Sequence, residues 1–177
     1  MTTQTDLTFE YFWEVIAVKR RLMEVEFKFN NLHWKVYGLH LKSKWSDFEE
    51  DPQSDDQRRS EVLATRKRIL EKQKDDALPF LIMSDLNETK GTSTIRLLQK
   101  RGDYVVASAV DCVDSRDHWW TQYYENEDEY RPVDFIIMSR DFPAKLVGEK
   151  GHIFDGADGL FASDHRFVRI DLEWGEH

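Results

Sequence analysis

The stretch from Leu22 to Leu41, LMEVEFKFNNLHWKVYGLHL, constrains the fold more than any other part of the sequence. In its first half apolar side chains alternate with Glu and Lys, which is typical of a strand with one buried face. Asn30 and Asn31 follow, and asparagine tolerates the positive φ angles of tight hairpin turns. A returning strand then begins at about Leu32. The pattern predicts a β-hairpin whose second strand ends near His40.

A helix and a fully buried strand are predicted next. Ser54 to about Lys74 has a helical pattern, with Ser54 as the candidate N-cap and two aspartates in the first turn. In PFLIMSDLNET, Leu81, Ile82 and Met83 form a continuous apolar run, which is typical of a strand covered on both faces.

The rest of the sequence predicts one more helix and several strands. The helix is expected from Thr92 to Arg101, closed by Gly102. Strands are expected at about 104–109, in RPVDFIIMS and in FVRIDLEW. Strands and helices mixed in this way predict an α/β (α+β) sandwich, in which mixed β-sheets are flanked by helices. We expect one domain over residues 1–177.

Composition narrows the function classes. A 40% hydrophobic content is enough for one core, and the single cysteine, Cys112, excludes an internal disulfide. No apolar run approaches the ~20 residues that a membrane span needs, and the start lacks a signal-peptide pattern, so an intracellular protein is expected. The net charge of −9 argues against a broadly basic surface for nucleic acid. A local basic patch in residues 55–74 stays open, although a solvated helix face is the simpler interpretation.

Polar side chains gather where the predicted strands end. Asp85 and Asn87 are two residues apart, so in an extended chain a carboxylate and an amide converge on one side. Asp134 interrupts the apolar run VDFIIM and needs a partner if it is buried, and a histidine would serve. Any one of these residues, taken alone, more often has a structural role, either capping a turn or forming a hydrogen bond within the core. Together they suit metal-assisted phosphate chemistry.

The ligand types indicate which ion such a site would bind. Asp85, Asn87 and Asp164 offer oxygen atoms, which suit Mg²⁺ or Mn²⁺, and no closely spaced His and Cys set suggests zinc. A histidine held in one tautomer by an aspartate can deprotonate water at neutral pH. His165 with Asp134 is the predicted base.

Four motifs in order, LHLKS, SDLNE, RPVDFIIMS and SDHRFVRIDL, resemble the endonuclease/exonuclease/phosphatase superfamily, and in particular its deoxyribonuclease-like members. The resemblance covers about Leu22 to Trp174. It implies two packed mixed sheets with the site at one end, and attack of water on a phosphoester. It also implies roles. Asp85 and Asn87 would align the water and hold the phosphate, Asp134 would orient His165, and His40 would contact the scissile phosphate or assist the leaving group.

The sequence departs from the family in its N-terminal part. Members carry their principal metal-binding glutamate there, and only about 20 residues precede the first matching strand in this sequence, so we expect a truncated fold that lacks that half. Glu14, in YFWEVIAV, is the nearest acid with apolar neighbours, although no family motif surrounds it. The metal would otherwise rest on Asp85, Asn87, Asp164 or an acid from another chain.

Three functions compete at this point. The first is a metal-dependent phosphodiesterase, most of all a DNA endonuclease. Its candidate substrate-binding residues are His40, Lys42, Lys44, Asn87, Trp45, Trp119 and Trp120. The tryptophans would stack on bases, or simply pack in the core or at its rim. The second is a non-catalytic remnant or one half of a split protein. The third is a phosphomonoesterase or a lipid or inositol phosphatase, which the acidic charge favours.

The truncation also predicts association. Removing half of a sandwich should leave open strand edges and an apolar face, so we expect a homodimer or a complementing chain. The segment FEYFWEVIAV is the expected filler, within its own chain or swapped into a partner.

Overall fold

The structure, a computed structural model, describes residues 1–4, 6–46, 48–156 and 158–175. The strands are β1 Thr2–Gln4, β2 Thr8–Tyr11, β3 Glu14–Ala17, β4 Leu22–Phe29, β5 Leu32–His40, β6 Phe80–Asp85, β7 Lys100–Arg101, β8 Tyr104–Val105, β9 Ala107–Ala109, β10 Cys112–Val113, β11 Gln122–Tyr124, β12 Glu129–Arg131, β13 Asp134–Ser139, β14 Ala144–Leu146, β15 Gly151–Ile153, β16 Val168–Arg169 and β17 Leu172–Trp174. The helices are α1 Asp55–Asp76, α2 Ser93–Gln99 and α3 Gly159–Ala162, with a 3-10 turn at Glu125–Glu127.

A six-stranded mixed sheet organises the fold, in the order β1-β4-β5-β6-β13-β9. Strands β5 and β6 are parallel, and the other neighbours are antiparallel. The predicted hairpin is confirmed as β4 and β5, and Asn30 takes the positive φ of 52° that its turn requires. Helix α1 is the crossover that lets β5 and β6 run in the same direction.

Helices cover one face of this sheet. Tyr37, Ile82 and Ile137 point to that side and join one buried core with Val62 of α1 and Ile95 of α2. Burying an aliphatic side chain of this size contributes about 1.5–3 kcal/mol. The mixed sheet with helices confirms the predicted fold class.

The opposite face is covered only in part. Leu81 packs there with Phe142, Ala144 and Trp174, so the apolar run of β6 is buried on both sides at Leu81 and Ile82. Burial of Met83 was predicted wrongly, because its side chain is 46% exposed.

The predicted buried face of β4 is also wrong. Phe27 and Phe29 are 41% and 65% exposed, because β14 and β17 cover the sheet only beyond Trp34. The homodimer or complementing chain expected from the sequence stays a prediction.

Helix α1 starts with a different cap from the one predicted. Ser54 does occupy the N-cap position, but its hydroxyl donates to the carbonyl of Trp45 at 3.1 Å. The carboxylate of Asp51 instead accepts the amide N–H groups of Asp55 at 2.7 Å and Gln57 at 3.1 Å. A carboxylate accepting these orphan donors is what capping requires, whichever residue supplies it.

Three other predicted elements are interrupted. The helix predicted to reach Arg101 ends at Gln99, and Gly102, with φ 61°, lies in the turn between β7 and β8 instead of capping the helix. The strand predicted at 104–109 breaks at Val106. FVRIDLEW forms two strands, because β16 pairs with β15 whereas β17 pairs with β14.

The N-terminal segment forms the hairpin β2–β3, which packs within its own chain. Phe9, Tyr11 and Val18 enter the main core. Among the described residues, no helix is both long enough and apolar enough to cross a membrane.

Candidate active site

A row of polar side chains lies across the ends of three neighbouring interior strands of the main sheet. His40 is in register with Asp85 on the parallel strands β5 and β6, and Asp85 is in register with Asp134 on β13. In-register neighbours point to the same face of a sheet. The last residues of β5 and β6 and the first residue of β13 therefore lie side by side, although His40 and Asp134 are 94 residues apart in sequence.

His165 joins this row from the segment that precedes β16. Its Nδ1 lies 2.8 Å from Oδ2 of Asp134, and Nε2 of His40 lies 3.1 Å from Oδ2 of Asp85. Ligand atoms of Asp85, Asp134 and His165 all lie within 4.8 Å of one another, which is close enough to hold a metal ion. The predicted pairing of Asp134 with a histidine thus exists in the structure.

The pKa values of three side chains in this row are shifted from their ordinary values. Burial, together with the nearby charge of Asp134, raises the pKa of Asp85 above its ordinary value. The hydrogen bond to Asp134 raises the pKa of His165, whereas burial lowers the pKa of His40. Like charges directly opposite each other destabilise a sheet. A cation at these strand ends would therefore offset the repulsion between Asp85 and Asp134.

Asn87 fixes the end of β6. It has a positive φ of 50°, and its backbone N–H donates to Oδ1 of Asp85 at 3.0 Å. Its side-chain amide donates to the carbonyl of Leu41 at 3.1 Å, just beyond His40. Asn87 therefore links the ends of the two parallel strands and orients the Asp85 carboxylate.

Asp164 lies at the open side of the site. Its carboxylate is mostly exposed, accepts a hydrogen bond from the Gln122 amide at 3.1 Å and lies 4.0 Å from Nε2 of His165. Glu14 lies elsewhere, in the exposed strand β3, and is not part of the three-residue group that could hold a metal.

The predicted substrate-binding residues are distributed over several surfaces. The Lys42 ammonium donates to the carbonyls of Ser43 and Trp45, while Lys44 and Trp45 line a cleft beside Asn87. Trp119 is exposed and lines a different, largely apolar pocket of about 500 Å³.

Trp120 packs under the guanidinium of Arg166, 4.0 Å from the ring centre, and against Tyr130. Packing is therefore the interpretation that the structure favours for Trp120.

Thr121 is a supporting residue that the sequence did not single out. Its buried hydroxyl accepts the backbone N–H groups of Val133 and Asp134, each at 3.0 Å, and its carbonyl accepts the N–H of Arg166 at 2.7 Å. Thr121 thus ties the strand that carries Asp134 to the segment that carries His165. Its position in the aromatic stretch HWWTQYY gave no signal of this role.

A buried ion pair holds the same segment from the other side. Arg166 donates to Oδ2 of Asp114 at 2.8 Å and to the carbonyls of Phe154 and Trp120. Although burial opposes it, hydrogen bonds from Arg166, His118 and Arg116 hold the pKa of Asp114 well below its ordinary value. The pair fixes the backbone directly after His165.

The basic stretch of α1 is only partly a solvated face. Arg58 is completely buried, donates to Glu88 at 2.8 Å and to the carbonyl of Lys42, and pairs with Asp55. It supports the two loops that follow β5 and β6. The interpretation of residues 55–74 as a solvated face is wrong at this position, because Glu88, whose side chain is mostly buried, pairs with the Arg58 guanidinium.

We predict that Thr121→Val destabilises the protein by about 2 kcal/mol, because it leaves two buried N–H groups without an acceptor. Urea unfolding measures this change. Thr65→Val is the matched control, since the buried Thr65 hydroxyl has no hydrogen-bond partner among the described residues. Thr121→Ser should keep wild-type stability. Equal stability of Thr121→Val and Thr65→Val would contradict the role of the Thr121 hydroxyl.

Comparison with known proteins gives a consistent result at the level of the fold. No family model and no curated protein matches the sequence. Among solved structures, an endonuclease/exonuclease/phosphatase family protein from Leptotrichia buccalis superposes with a TM-score of 0.60 at 13% identity, over 95% of this chain and 58% of that one. The chain has the endonuclease/exonuclease/phosphatase fold. At the level of the fold, and over about half of the matched structure, this confirms the predicted resemblance.

Two further structures share this fold. Beta toxin from Staphylococcus aureus matches with a TM-score of 0.61 at 19% identity, over 86% of this chain and 57% of the toxin. The human Nocturnin catalytic domain with bound sulfate matches with a TM-score of 0.58 at 11% identity, over 88% and 52%. The chain therefore spans about half the length of the structures it matches.

Proposed function

We propose that this chain is a metal-dependent phosphodiesterase that hydrolyses DNA. The observation that carries the proposal is the row of His40, Asp85 and Asp134, completed by the hydrogen bond between Asp134 and His165. Two partly buried carboxylates that face each other cost stability, and clusters of titratable groups of this kind are concentrated at functional sites. The shared fold with endonuclease/exonuclease/phosphatase structures supports a hydrolase of phosphoesters.

His165 acts as the general base in this proposal. When Nδ1 carries the proton and donates to Asp134, the lone pair on Nε2 faces away from the strand and can accept a proton from water. Asp134 fixes this tautomer and stabilises the cationic imidazole that forms. The water then attacks phosphorus while the bond to the leaving oxygen breaks.

Mg²⁺ or Mn²⁺ fits the oxygen atoms near His165. Asp85, Asn87 and Asp164 are the proposed ligands; of the two acids, Asp85 belongs to the close group with Asp134 and His165, whereas Asp164 lies outside it. The repulsion between Asp85 and Asp134 is the feature that a cation would relieve. When bound, the ion would stabilise negative charge that develops on the phosphate. A beta toxin structure with bound magnesium ions, at a TM-score of 0.52 and 17% identity, supports this choice of metal.

His40 faces the same site and is the proposed contact to the scissile phosphate. It is partly exposed, and Asp85 orients its Nε2 at 3.1 Å. When the ring is protonated, Nε2–H donates to Asp85 and Nδ1–H is left to donate a hydrogen bond to a phosphate oxygen or a proton to the leaving oxygen. Lys44, from the loop after β5, adds positive charge beside Asn87.

A phosphomonoesterase is the second candidate. It is supported by the net charge of −9 and by the match, at a TM-score of 0.51 and 14% identity, to a mannosyl-6-phosphatase from Bacteroides thetaiotaomicron. Bis(p-nitrophenyl) phosphate and p-nitrophenyl phosphate, assayed side by side with labelled DNA, separate the candidates. Hydrolysis of the diester and of DNA supports the proposal, whereas hydrolysis of the monoester alone supports the phosphatase. No hydrolysis of any of the three would support a non-catalytic remnant.

A further inference from the structure

A cleft of about 520 Å³ opens directly beside the proposed active site. We call it the Trp45 cleft. Its lining includes Lys44 and Trp45 from the loop after β5, and Gln122, Tyr124 and Arg131 from the paired strands β11 and β12. Asn87 belongs to the cleft and also orients Asp85, while Gln122 donates to Asp164. A group attached to a phosphate at the active site would therefore extend into the Trp45 cleft.

The wall at Trp45 presents an aromatic ring on an anchored backbone. The Trp45 side chain is 76% exposed, yet its carbonyl accepts hydrogen bonds from the Ser54 hydroxyl, at 3.1 Å, and from the Lys42 ammonium. Ser54 itself is fully buried at the start of α1. The main chain at Trp45 is thus fixed, and little conformational freedom of the backbone is lost when a ligand stacks on the ring.

The β11–β12 part of the lining holds a second aromatic ring, Tyr124, with Arg131 over one of its faces. The guanidinium of Arg131 lies 4.8 Å from the centre of the Tyr124 ring, and Glu127 and Glu129 pair with that guanidinium. The two glutamates therefore neutralise the charge of Arg131 locally. Because of this pairing, Lys44 is the cation of the lining that can meet a phosphate, and the rest of the cleft is suited to an uncharged planar group more than to a run of phosphates.

An unpaired nucleobase fits the shape and the charge of this cleft. It is planar, largely uncharged and joined to a phosphate, and both of its faces can stack when it leaves a duplex. In a duplex those faces are covered by neighbouring base pairs. A cleft of this volume whose lining includes Trp45 and Tyr124 would therefore favour an unpaired base over paired DNA.

We propose that the Trp45 cleft binds an unpaired base next to the scissile phosphate, which makes single-stranded DNA the preferred ligand. This inference rests on the proposed function for the position of the phosphate. It adds Tyr124, Gln122 and Arg131 to the binding surface, and it makes aromatic stacking the main source of affinity.

Binding without turnover tests the inference. Fluorescence anisotropy of a labelled eight-residue oligothymidylate, with excess chelator, should report binding at least tenfold tighter than that of a labelled hairpin duplex. Trp45→Ala should weaken binding of the oligothymidylate about tenfold, since stacking on one base contributes about 1–3 kcal/mol. Trp45→Phe should retain most of the affinity.

Trp13→Ala is the matched control, because Trp13 is fully exposed in the turn between β2 and β3 and does not line the cleft. It should bind like the wild type. Equal affinity for the single strand and the duplex, no loss in Trp45→Ala, or no binding at all would overturn the inference. A selective complex in a protein without hydrolytic activity would uphold the inference and contradict the proposed catalysis.

Discussion

His165→Ala is expected to lower kcat for phosphodiester hydrolysis at least about 10³-fold, because it removes the group that takes the proton from water. The Nδ1 hydrogen bond to Asp134 is lost with it. KM should change little, since His165 is not among the proposed phosphate ligands. Initial rates over a range of substrate concentrations separate the two parameters.

His33→Ala provides the control for this experiment. His33 pairs with Glu26 on the β4–β5 hairpin, away from the row of His40, Asp85 and Asp134. Its replacement should leave kcat unchanged. Full activity in a folded His165→Ala protein, judged by an unchanged circular dichroism spectrum, would refute the assignment of His165 as the base.

Asp134→Asn is expected to cost about 10³- to 10⁴-fold in kcat, by analogy with other histidines that an aspartate orients. The amide can present its NH₂ group to Nδ1 and so favour the wrong tautomer, and it no longer stabilises the charged imidazole. The steady-state rate at saturating metal and substrate measures the loss. A rate within tenfold of the wild type would show that the pair is structural.

The same variant should also change the dependence of rate on pH. Asp134 raises the pKa of His165, so in the wild type the neutral base form is lost when the pH falls below that raised pKa. Removing the carboxylate charge lowers the pKa of His165. The acid limb of kcat should therefore move to lower pH in Asp134→Asn, and a limb that stays in place would assign it to another group.

The sequence predicted those site residues that lie at the ends of strands, because local patterns mark them. A continuous apolar run that stops at Asp85, and an acid that interrupts VDFIIM, are local signals of polar groups at the edge of a sheet. The hairpin was predicted for a similar reason, because Asn30 has the turn chemistry and the flanking residues alternate. The pairing of Asp134 with His165 followed from the need of a partly buried acid for a partner.

Long-range partners explain most of what the sequence did not predict. Arg58 resembles one more surface cation in a charged helix, and its complete burial depends on partners distant in sequence, Glu88, 30 residues away, and the carbonyl of Lys42. Thr121 has no local pattern that distinguishes it from other polar residues in its segment. Its two amide partners belong to another strand.

The wrong element boundaries have the same cause. FVRIDLEW alternates regularly, but β16 and β17 pair with different sheets, and the chain must leave one ladder to enter the next. Likewise, alternation in β4 predicted a buried face because the second layer of the sandwich could not be located from the sequence. The structure places β14 and β17 over only part of that face.

Cleavage of circular DNA with controlled metal tests the central proposal most directly. Supercoiled plasmid and a single-stranded circle are incubated with the wild-type chain in Mg²⁺ or Mn²⁺, in excess chelator, and after the metal is restored. Because the proposed ligands are oxygen atoms, we predict cleavage with metal, none with chelator and recovery afterwards. Undiminished cleavage in chelator, or identical cleavage by the wild-type and His165→Ala proteins, would contradict the account.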